Sequence, residues 1–198
     1  MNAPRRILVG LSGGSGPIMG VHLLRALRAR PQLEIHLIAT AAALRTLALE
    51  NPEISYADVK ALAHYVHDVK DIAASPASGS YPMEAMVVIP ASMHTVASMA
   101  HGIADNLLLR CADVFLKERR NLIVVPRETP LHLGHLRNMA TLAEYGACIL
   151  PPMVAFYHHP KTVEDIIGHT VGKVLDQLRL PQDQFPPWEG PRSGLPLP

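Results

Sequence analysis

The stretch Ile7–Gly20, ILVGLSGGSGPIMG, decides the fold of this chain. Its first half is a short apolar run that is typical of a buried strand, and the apolar residues that follow it have helical spacing. Between them, Gly13, Gly14 and Gly16 allow a sharp turn that brings backbone N–H groups close to an anion. Pro17 fits the first turn of a helix, where a missing N–H costs nothing. The stretch therefore predicts a strand, a phosphate-binding turn and a helix.

The glycine spacing restricts the kind of phosphate group. A dinucleotide fingerprint needs GxGxxG and an acidic residue about 20 residues later. Here the third glycine comes one residue late, at Gly20, and the next apolar run ends at Thr40 without an acid. A Walker loop is excluded because no Gly-Lys-Ser/Thr follows. A mononucleotide or a single phosphate remains open, as does an ordinary strand–helix corner without a ligand.

The composition indicates one globular domain that associates with itself. The 198 residues are 48% hydrophobic and 18% charged, which leaves more apolar surface than a small monomer usually exposes. The net charge of +1 gives no general attraction to nucleic acid or to a membrane surface. No run has the apolar length of a signal peptide or a membrane span. Cys111 and Cys148 stand apart in the sequence, so we expect no disulfide framework. We therefore also expect a protein of the reducing cytoplasm.

Five apolar runs alternate with helical segments. We predict strands at Ile7–Leu11, Leu33–Ala39, Ala85–Ile89, Leu122–Val125 and Ala147–Leu150. This alternation predicts an α/β three-layer sandwich, in which a parallel sheet has helices on both faces. Ligands of such sheets bind beyond the carboxyl ends of the strands. Because polar residues, glycine or proline follow each run, we expect the binding site at that edge.

The rest of the chain contains further helices, a long loop and a tail. We predict helical segments that end near Glu50, lie around Val59–Tyr65, cover Ser92–Arg120 with a break near Gly102–Asn106, and run from the N-cap Thr162 to about Leu178. A loop rich in Ser, Pro and Gly covers residues 75–82. Residues 181–198 contain six of the 18 prolines and form no regular element. We therefore predict a domain over 1–180 and a proline-rich tail over 181–198.

The segment Arg110–Pro130, RCADVFLKERRNLIVVPRETP, contains several candidate site residues. Arg110 and Lys117 are seven residues apart, so on a helix they share a face. The simpler interpretation of KERR is a solvated helix end whose cations interact with the helix dipole. Arg127 and Glu128 instead follow a predicted strand directly. An arginine there can bind a phosphate through two hydrogen bonds, and a carboxylate can accept a proton.

The eleven histidines do not indicate a metal site. His132 and His135 are three residues apart on a predicted helix, but no acidic or cysteine residue stands at ligand spacing. There is also no acidic pair that could hold magnesium. We therefore predict chemistry without a metal, and we note that Tyr157 could offer its hydroxyl to an anion.

Seven strings between Ile7 and about Trp188 carry a family resemblance: SGGSG, ASGSY, PASMHT, ADVFLKERR, VPRETPLHLGHLRNM, PPMVAFYHHP and HTVGKVLD. In order and spacing they resemble the UbiX/Pad1 family of flavin prenyltransferases, and RETPLHL after LKERR is highly specific. The resemblance implies a flavodoxin/Rossmann-like fold and trimers packed into dodecamers. It also implies transfer of the dimethylallyl group of dimethylallyl monophosphate to N5 and C6 of reduced FMN without metal. The prenylated FMN would serve UbiD-type decarboxylases.

The resemblance also implies roles for individual residues. Those implied at FMN are Gly13, Gly14, Ser15, Thr40, Arg127 and, around its phosphate, Ser92, Met93, His94 and Thr95. Those assigned to the substrate, in part from a neighbouring subunit, are Arg110, Lys117, Arg127, Glu128, Tyr157 and Lys173. Glu50 matches a glutamate near the flavin and Trp188 a tryptophan that covers the pocket. We assign catalytic roles to Ser15, Glu50, Lys117, Glu128 and Trp188.

Some positions depart from the family pattern, and some alternatives remain open. Lys173 stands where arginine is frequent, and because lysine loses the bidentate geometry we expect looser phosphate binding. An FMN-dependent decarboxylase of peptidyl- or pantothenoyl-cysteine is an alternative, although the RETP block and Lys117 argue against it. A flavin carrier or structural partner of a decarboxylase, without catalysis, is another, to which Lys173 and Ala91, the latter in place of a frequent cysteine, give some support. The sequence does not decide between monophosphate and diphosphate substrates, and it does not identify the group that takes the final proton.

Overall fold

The computed structural model describes residues 4–190, and its elements alternate along the chain. In order they are β1 Arg5–Leu11, α1 Pro17–Arg28, β2 Leu33–Ala39, α2 Ala41–Glu50, α3 Tyr56–Ala61, β3 Tyr65–His67, β4 Ala85–Ala91, α4 Met93–Ala100, α5 Leu107–Lys117, β5 Asn121–Pro126, α6 Leu133–Glu144, β6 Cys148–Ile149 and α7 Val163–Gln177. A short 3-10 turn lies at Ser75–Ala77, within the predicted loop.

The strands form one parallel sheet in the order β3-β2-β1-β4-β5-β6. Strand β1 pairs with β2 along its whole length and with β4 on its other side. Strands β2 and β3 are added on one side of β1, and strands β4 to β6 are added on its other side. The strand order therefore reverses between β1 and β4, which is where doubly wound sheets bind their ligands. The predictions of an α/β fold and of a parallel sheet are confirmed.

Strand β3 was missed, and the helix predicted around Val59–Tyr65 is wrong at its end. Helix α3 ends at Ala61, and Tyr65–His67 pairs with His36–Ile38 of β2. Three residues at a sheet edge are too few to show a strand period, so only the pairing with β2 defines them. Without β3 the order is β2-β1-β4-β5-β6, which is the flavodoxin order 2-1-3-4-5 when the five predicted strands are numbered along the chain. With β3 the order of the six strands is 3-2-1-4-5-6.

Both faces of the sheet are buried. Helices α4, α5 and α6 cover the face that carries Leu8 and Met86, and Phe115 of α5 lies in that core. Helix α1 packs against β1, β2 and β4. It lies on the opposite face, close to Leu11, as the surroundings of its Gly20 show. This packing fixes the carboxyl ends of four neighbouring strands at one edge.

Several helix predictions are confirmed. Pro17 begins α1, α2 ends at Glu50, and the break at Gly102–Asn106 separates α4 from α5. Thr162 caps α7 in a capping box with Asp165. His132 lies outside its predicted helix, because its ring is the N-cap of α6 and accepts the N–H groups of Gly134 and His135.

The described chain consists of two compact units, one that ends at Pro152 and one that begins at Met153. The predicted division at residue 180 stays a prediction, and its first three residues and the tail residues 191–198 lie outside the described part. Between residues 4 and 190, no helix combines the length and the apolar character needed to cross a membrane.

Candidate functional site

The glycine-rich turn lies at the carboxyl end of β1 and packs tightly against its neighbours. A Cβ atom on Gly13 would lie 2.7 Å from Ala42 Cβ, and one on Gly14 would lie 3.2 Å from Pro90 Cβ. Gly16 has a φ of 84°, a left-handed conformation that favours glycine. Among residues 4–190, the N–H groups of Gly13 and Ser15 have no protein acceptor. The turn therefore offers two backbone donors to a ligand.

Glu50 already caps the helix that follows this turn. Its carboxylate, at the end of α2, accepts the N–H of Gly16 at 2.8 Å. Helix α1 has no acidic residue in its first turn and no side-chain cap from Gly16. Because a carboxylate takes the position that an anion would occupy at this helix N-terminus, a ligand phosphate is better placed at another helix.

The N-terminus of α4 is the better phosphate site. Ser92 is the N-cap, and its Oγ accepts the N–H of Thr95 at 3.3 Å. The N–H groups of Met93 and His94, in the first turn, have no acceptor within the described chain. Two free donors and the positive end of the helix dipole fit a monoester phosphate. The structure thus brings the four predicted phosphate-binding residues, Ser92 to Thr95, into one helix start.

Ser12 was missed by the sequence analysis although it holds this edge together. It is fully buried, its Oγ donates to the carbonyl of Pro90 at 3.0 Å, and it accepts the N–H of Ser92 at 2.8 Å. The hydroxyl therefore connects the glycine turn to the start of α4. The available signal was a single serine at the end of an apolar run, which has no distinctive spacing.

Thr40 and Arg127 complete the predicted flavin site at the same edge. Thr40 caps α2 by accepting the N–H of Ala43 at 3.1 Å, and its own N–H donates to Leu11 at 3.0 Å. Arg127 follows β5 directly, its N–H donates to Ala91 at 3.0 Å, and its side chain is exposed. The predicted flavin-binding residues therefore follow the neighbouring strands β2, β1, β4 and β5.

Lys117 and Glu128, both predicted at the substrate phosphate, lie at opposite ends of strand β5: Lys117 at the amino ends of the strands and Glu128 at the carboxyl ends. Lys117 ends α5 just before β5 begins, and Glu128 comes two residues after β5 ends. The six residues of β5 span roughly 20 Å. One chain therefore cannot bring both side chains to the same phosphate. Arg110 lies in the first turn of α5, where it pairs with Asp113 at 2.9 Å.

The predicted loop at residues 75–82 supports Lys117. Arg120 donates to the carbonyl of Tyr81 at 2.9 Å and to that of Gly79. A Cβ atom on Gly79 would lie 2.9 Å from Lys117 Nζ. The interpretation of KERR as a solvated helix end is therefore wrong for Arg120. Lys117 itself pairs with Glu118 and lines a cavity of about 710 Å³ together with Leu116, Arg119, Arg120, Glu144, Tyr145 and Gly146.

In the unit that begins at Met153, Tyr157 and Trp188 are held by aromatic neighbours. The Tyr157 hydroxyl lies 3.1 Å from Nε2 of His169, and the Tyr157 ring lies 6.0 Å from that of Trp188. Lys173, one turn after His169 on α7, pairs with Asp176 at 3.5 Å. His169 was not predicted as a site residue, although it begins the quoted string HTVGKVLD and lies four residues before Lys173.

The remaining reactive side chains show no separate centre. Burial raises the pKa of the Cys111 thiol to about 12, which makes this cysteine a poor nucleophile. Across residues 4–190, no group of three or more His, Cys, Asp or Glu side chains could hold a metal ion.

Comparison with known proteins decides the family. The Flavoprotein family model matches residues 1–175. Flavin prenyltransferase UbiX of Salmonella typhimurium is 52% identical over 188 residues, which cover 94% of this chain and 99% of the relative. UbiX of Escherichia coli K12 is 50% identical with the same coverage. The chain belongs to the UbiX family of flavin prenyltransferases.

Solved structures of UbiX-type proteins agree with this placement. A dodecameric FMN-dependent UbiX-like decarboxylase from Escherichia coli O157:H7 has a TM-score of 0.91 and 47% identity, and the match covers 93% of this chain and all of that one. AnUbiX (PadA1), solved with FMN and dimethylallyl pyrophosphate, has the same TM-score and 43% identity, with 94% and 98% coverage.

The cysteine decarboxylases considered as an alternative share only the fold with this UbiX-family chain. The FMN-dependent cysteine decarboxylase SpaF is 23% identical with a TM-score of 0.60, and a PPC decarboxylase solved with pantothenoylaminoethenethiol is 20% identical with a TM-score of 0.61. Identity at this level carries no information about activity. The relatives of 52% and 50% identity, which are named flavin prenyltransferases, therefore favour the prenyltransferase prediction over the decarboxylase alternative.

Proposed function

We propose that this chain joins the dimethylallyl group of dimethylallyl monophosphate to N5 and C6 of reduced FMN, and so makes prenylated FMN for UbiD-type decarboxylases. The observation that carries the proposal is the separation of two kinds of anion-binding group. Backbone donors lie at the carboxyl edge of the sheet, at Gly13, Ser15, Met93 and His94. Cationic side chains come from other segments, so the chain can hold two phosphates by different means.

The carboxyl edge is the proposed FMN site. The free N–H groups at the start of α4 would bind the FMN phosphate, and the glycine turn and Thr40 would contact the rest of the molecule. When bound, reduced FMN supplies the electron-rich N5 and C6 atoms to which the allyl group becomes attached. Arg127 directly follows β5 at the same edge, and its exposed side chain could reach either the flavin or the substrate.

Cations and hydroxyl donors would help the substrate phosphate to leave. A monophosphate is a poor leaving group, so charge that develops on it must be stabilised by donors aimed at it in a dry site. Lys117, Arg110, Arg127 and Lys173 would supply positive charge, and Tyr157 would donate a hydrogen bond. Glu128 and Glu50 are the carboxylates available for the proton lost at C6, and the departing phosphate is a third acceptor.

The phosphate site would be assembled from more than one copy of the chain. Lys117 and Glu128 follow opposite ends of β5, so they can meet at one phosphate only if they come from different subunits. Leu131, just before α6, and Leu133 and Leu136, in its first turn, are 38%, 58% and 49% exposed, which provides apolar surface for association. We therefore propose trimers that pack into a dodecamer, and the Escherichia coli O157:H7 relative is described as dodecameric.

The proposal is tested by anaerobic incubation of the protein with reduced FMN and dimethylallyl monophosphate, followed by mass analysis of the flavin. A mass gain of one dimethylallyl group, formed only with protein, is expected. Unchanged FMN that remains bound would establish a flavin carrier and overturn the proposal. A parallel reaction with the diphosphate decides the substrate, since AnUbiX was solved with dimethylallyl pyrophosphate. We place the reaction in the cytoplasm, where unpaired thiols such as Cys111 and Cys148 stay reduced.

A further inference from the structure

His169 contacts the hydroxyl that the proposed function assigns to the substrate phosphate. Its Nε2 lies 3.1 Å from the Tyr157 hydroxyl oxygen, and its residue surface is only 9% exposed. The ring is held on two sides, because His158 stacks on it at 4.9 Å and 6° and Phe185 lies at 4.6 Å. His169 itself belongs to α7, whose N-terminus is fixed by the Thr162–Asp165 capping box. The imidazole is therefore a fixed partner of Tyr157.

The direction of this hydrogen bond decides what Tyr157 can offer to an anion. A tyrosine hydroxyl has one proton to donate and also accepts. If Tyr157 donates to Nε2, only lone pairs remain for a phosphate, and these would repel it. If Nε2 carries the proton and donates to Tyr157, the hydroxyl proton is free for the phosphate. A hydrogen bond to a charged acceptor is roughly twice as strong as a neutral one, so a bound phosphate favours the second arrangement.

We propose that His169 is a positioning residue that donates its Nε2–H to the Tyr157 hydroxyl when the substrate phosphate is bound, and accepts a hydrogen bond from that hydroxyl when it is not. The proposal rests on the proposed function, in which Tyr157 binds the phosphate. No proton is gained or lost overall, because the imidazole releases the proton of Nδ1 to solvent and takes one from solvent at Nε2 while the Tyr157 hydroxyl rotates. Tyr157 therefore has a hydrogen-bond partner both before and after the substrate arrives.

The surroundings of His169 favour a neutral ring, which can adopt either tautomer. Burial lowers the pKa of His169, and His158 and Lys173 lower it further, while Asp176 on the same helix opposes them. Tyr157 and His158 face the ring from the loop before α7, Lys173 and Asp176 act from α7 itself, and the following segment contributes the uncharged ring of Phe185. A permanently charged imidazolium could donate to Tyr157 but could not accept from it.

Three substitutions separate this role from simple packing. His169→Met fills the space but can neither donate nor accept at Nε2, so we expect the KM for dimethylallyl monophosphate to rise about tenfold, the loss of roughly one charge-assisted hydrogen bond. His169→Gln, whose amide reaches the Nε2 position and can donate or accept, should recover most of the affinity. FMN binding, measured by fluorescence, should be the same in both. If His169→Met does not fold, His169→Asn replaces it, because its shorter amide does not reach Tyr157.

Repeating the substitution in the Tyr157→Phe protein gives the decisive comparison. With no hydroxyl to orient, His169→Met should cause no further rise in KM. An equal rise in KM in both backgrounds would show that His169 acts through packing. An unchanged KM in His169→Met beside a raised KM in Tyr157→Phe would also overturn the inference about His169. In both cases the proposed role of Tyr157 at the phosphate would stand. If Tyr157→Phe leaves the KM unchanged, the phosphate-binding role of Tyr157 fails, and the inference fails with it.

Discussion

At the residue scale, a few side chains satisfy backbone groups that the glycine turn and its helices leave open. Ser12 connects the turn to α4 through two hydrogen bonds, and Glu50 caps α1 from the end of α2. These two residues shape the proposed flavin site without a direct role for either in phosphate binding. Lys117, in contrast, pairs with its sequence neighbour Glu118 in an ion pair in which both side chains are partly exposed, so a bound phosphate can compete with Glu118 for its charge.

Removing the Glu50 carboxylate should loosen the glycine turn. In Glu50→Ala, the Gly16 N–H loses its acceptor, and we expect the free energy of unfolding to fall by about 1 kcal/mol, as for other lost helix caps. Glu50→Gln keeps an acceptor and should lose less. Urea unfolding of the three proteins measures the effect. Equal stability of Glu50→Ala and the unsubstituted protein would show that the contact does not matter for folding.

Lys117→Ala should abolish prenylation while FMN stays bound. The substitution removes a cation from the leaving phosphate but lies far from the proposed flavin edge, so turnover should fall by about 100-fold or more with no change in FMN affinity. Glu128→Ala should also leave FMN bound and inactivate the protein. Lys70→Ala, at another exposed lysine, is the matched control. Normal turnover of Lys117→Ala would refute its assignment to the substrate.

At the element scale, the contact between α1 and the sheet sets the position of the glycine turn. A Cβ atom on Gly20 would meet Leu11 and would lie 2.7 Å from the carbonyl oxygen of Ile89. Since the backbone carbonyl of a fully buried strand residue cannot move aside cheaply, glycine is required there for close packing. This explains the glycine that fell one residue late for a dinucleotide fingerprint: it serves the packing of the helix on the sheet.

Gly20→Ala should therefore destabilise the protein, although alanine is the better helix former. We expect a loss of roughly 1–3 kcal/mol from overpacking. Gly168→Ala in α7 is the opposite control, because its nearest neighbour would lie 3.6 Å away and the change should stabilise by about 0.5–1 kcal/mol. Thermal unfolding of both variants checks the signs. Equal shifts in the same direction would contradict the packing explanation.

Elements with long apolar runs and clear caps could be predicted from the sequence. Short strands, and hydrogen bonds between residues far apart in the chain, could not. The strands β1, β2, β4 and β5 and the cap at Thr162 follow from local patterns. Strand β3 depends on pairing with β2, and the role of Ser12 depends on a neighbour 80 residues away. The sequence also cannot show how subunits meet, which is why Lys117 and Glu128 were assigned to one phosphate, in part from a neighbouring subunit, without a statement of which residue comes from which chain.

At the scale of the whole molecule, a buried histidine cluster makes stability depend on pH. His36 is 1% exposed, and its ring nitrogens lie 2.9 Å from His67 and 3.1 Å from Glu34. Burial lowers the pKa of both His36 and His67. The unfolded chain therefore binds protons below about pH 6.5 that the folded chain does not yet bind, and the free energy of unfolding falls as the pH drops below that value.

Urea unfolding at pH 7, 6 and 5 should show this loss, and His36→Gln should show a smaller one. The substitution removes one of the two titrating rings but keeps a polar group beside His67 and Glu34. Its stability at pH 7 serves as the reference for its own pH series, so the change in slope is separated from any loss of packing. A slope that is the same in both proteins would exclude His36 as its source.

The central claim is that dimethylallyl transfer to FMN occurs at a phosphate site built from two chains. Its most direct measurement is the amount of prenylated FMN formed by oligomers assembled from Lys117→Ala and Glu128→Ala chains together. Each variant alone should be inactive, and the mixed oligomer should regain part of the activity, because some sites then receive an intact Lys117 from one chain and an intact Glu128 from another. If the mixed oligomer contains both chains and forms no prenylated FMN, the two residues do not meet between subunits and the account is contradicted.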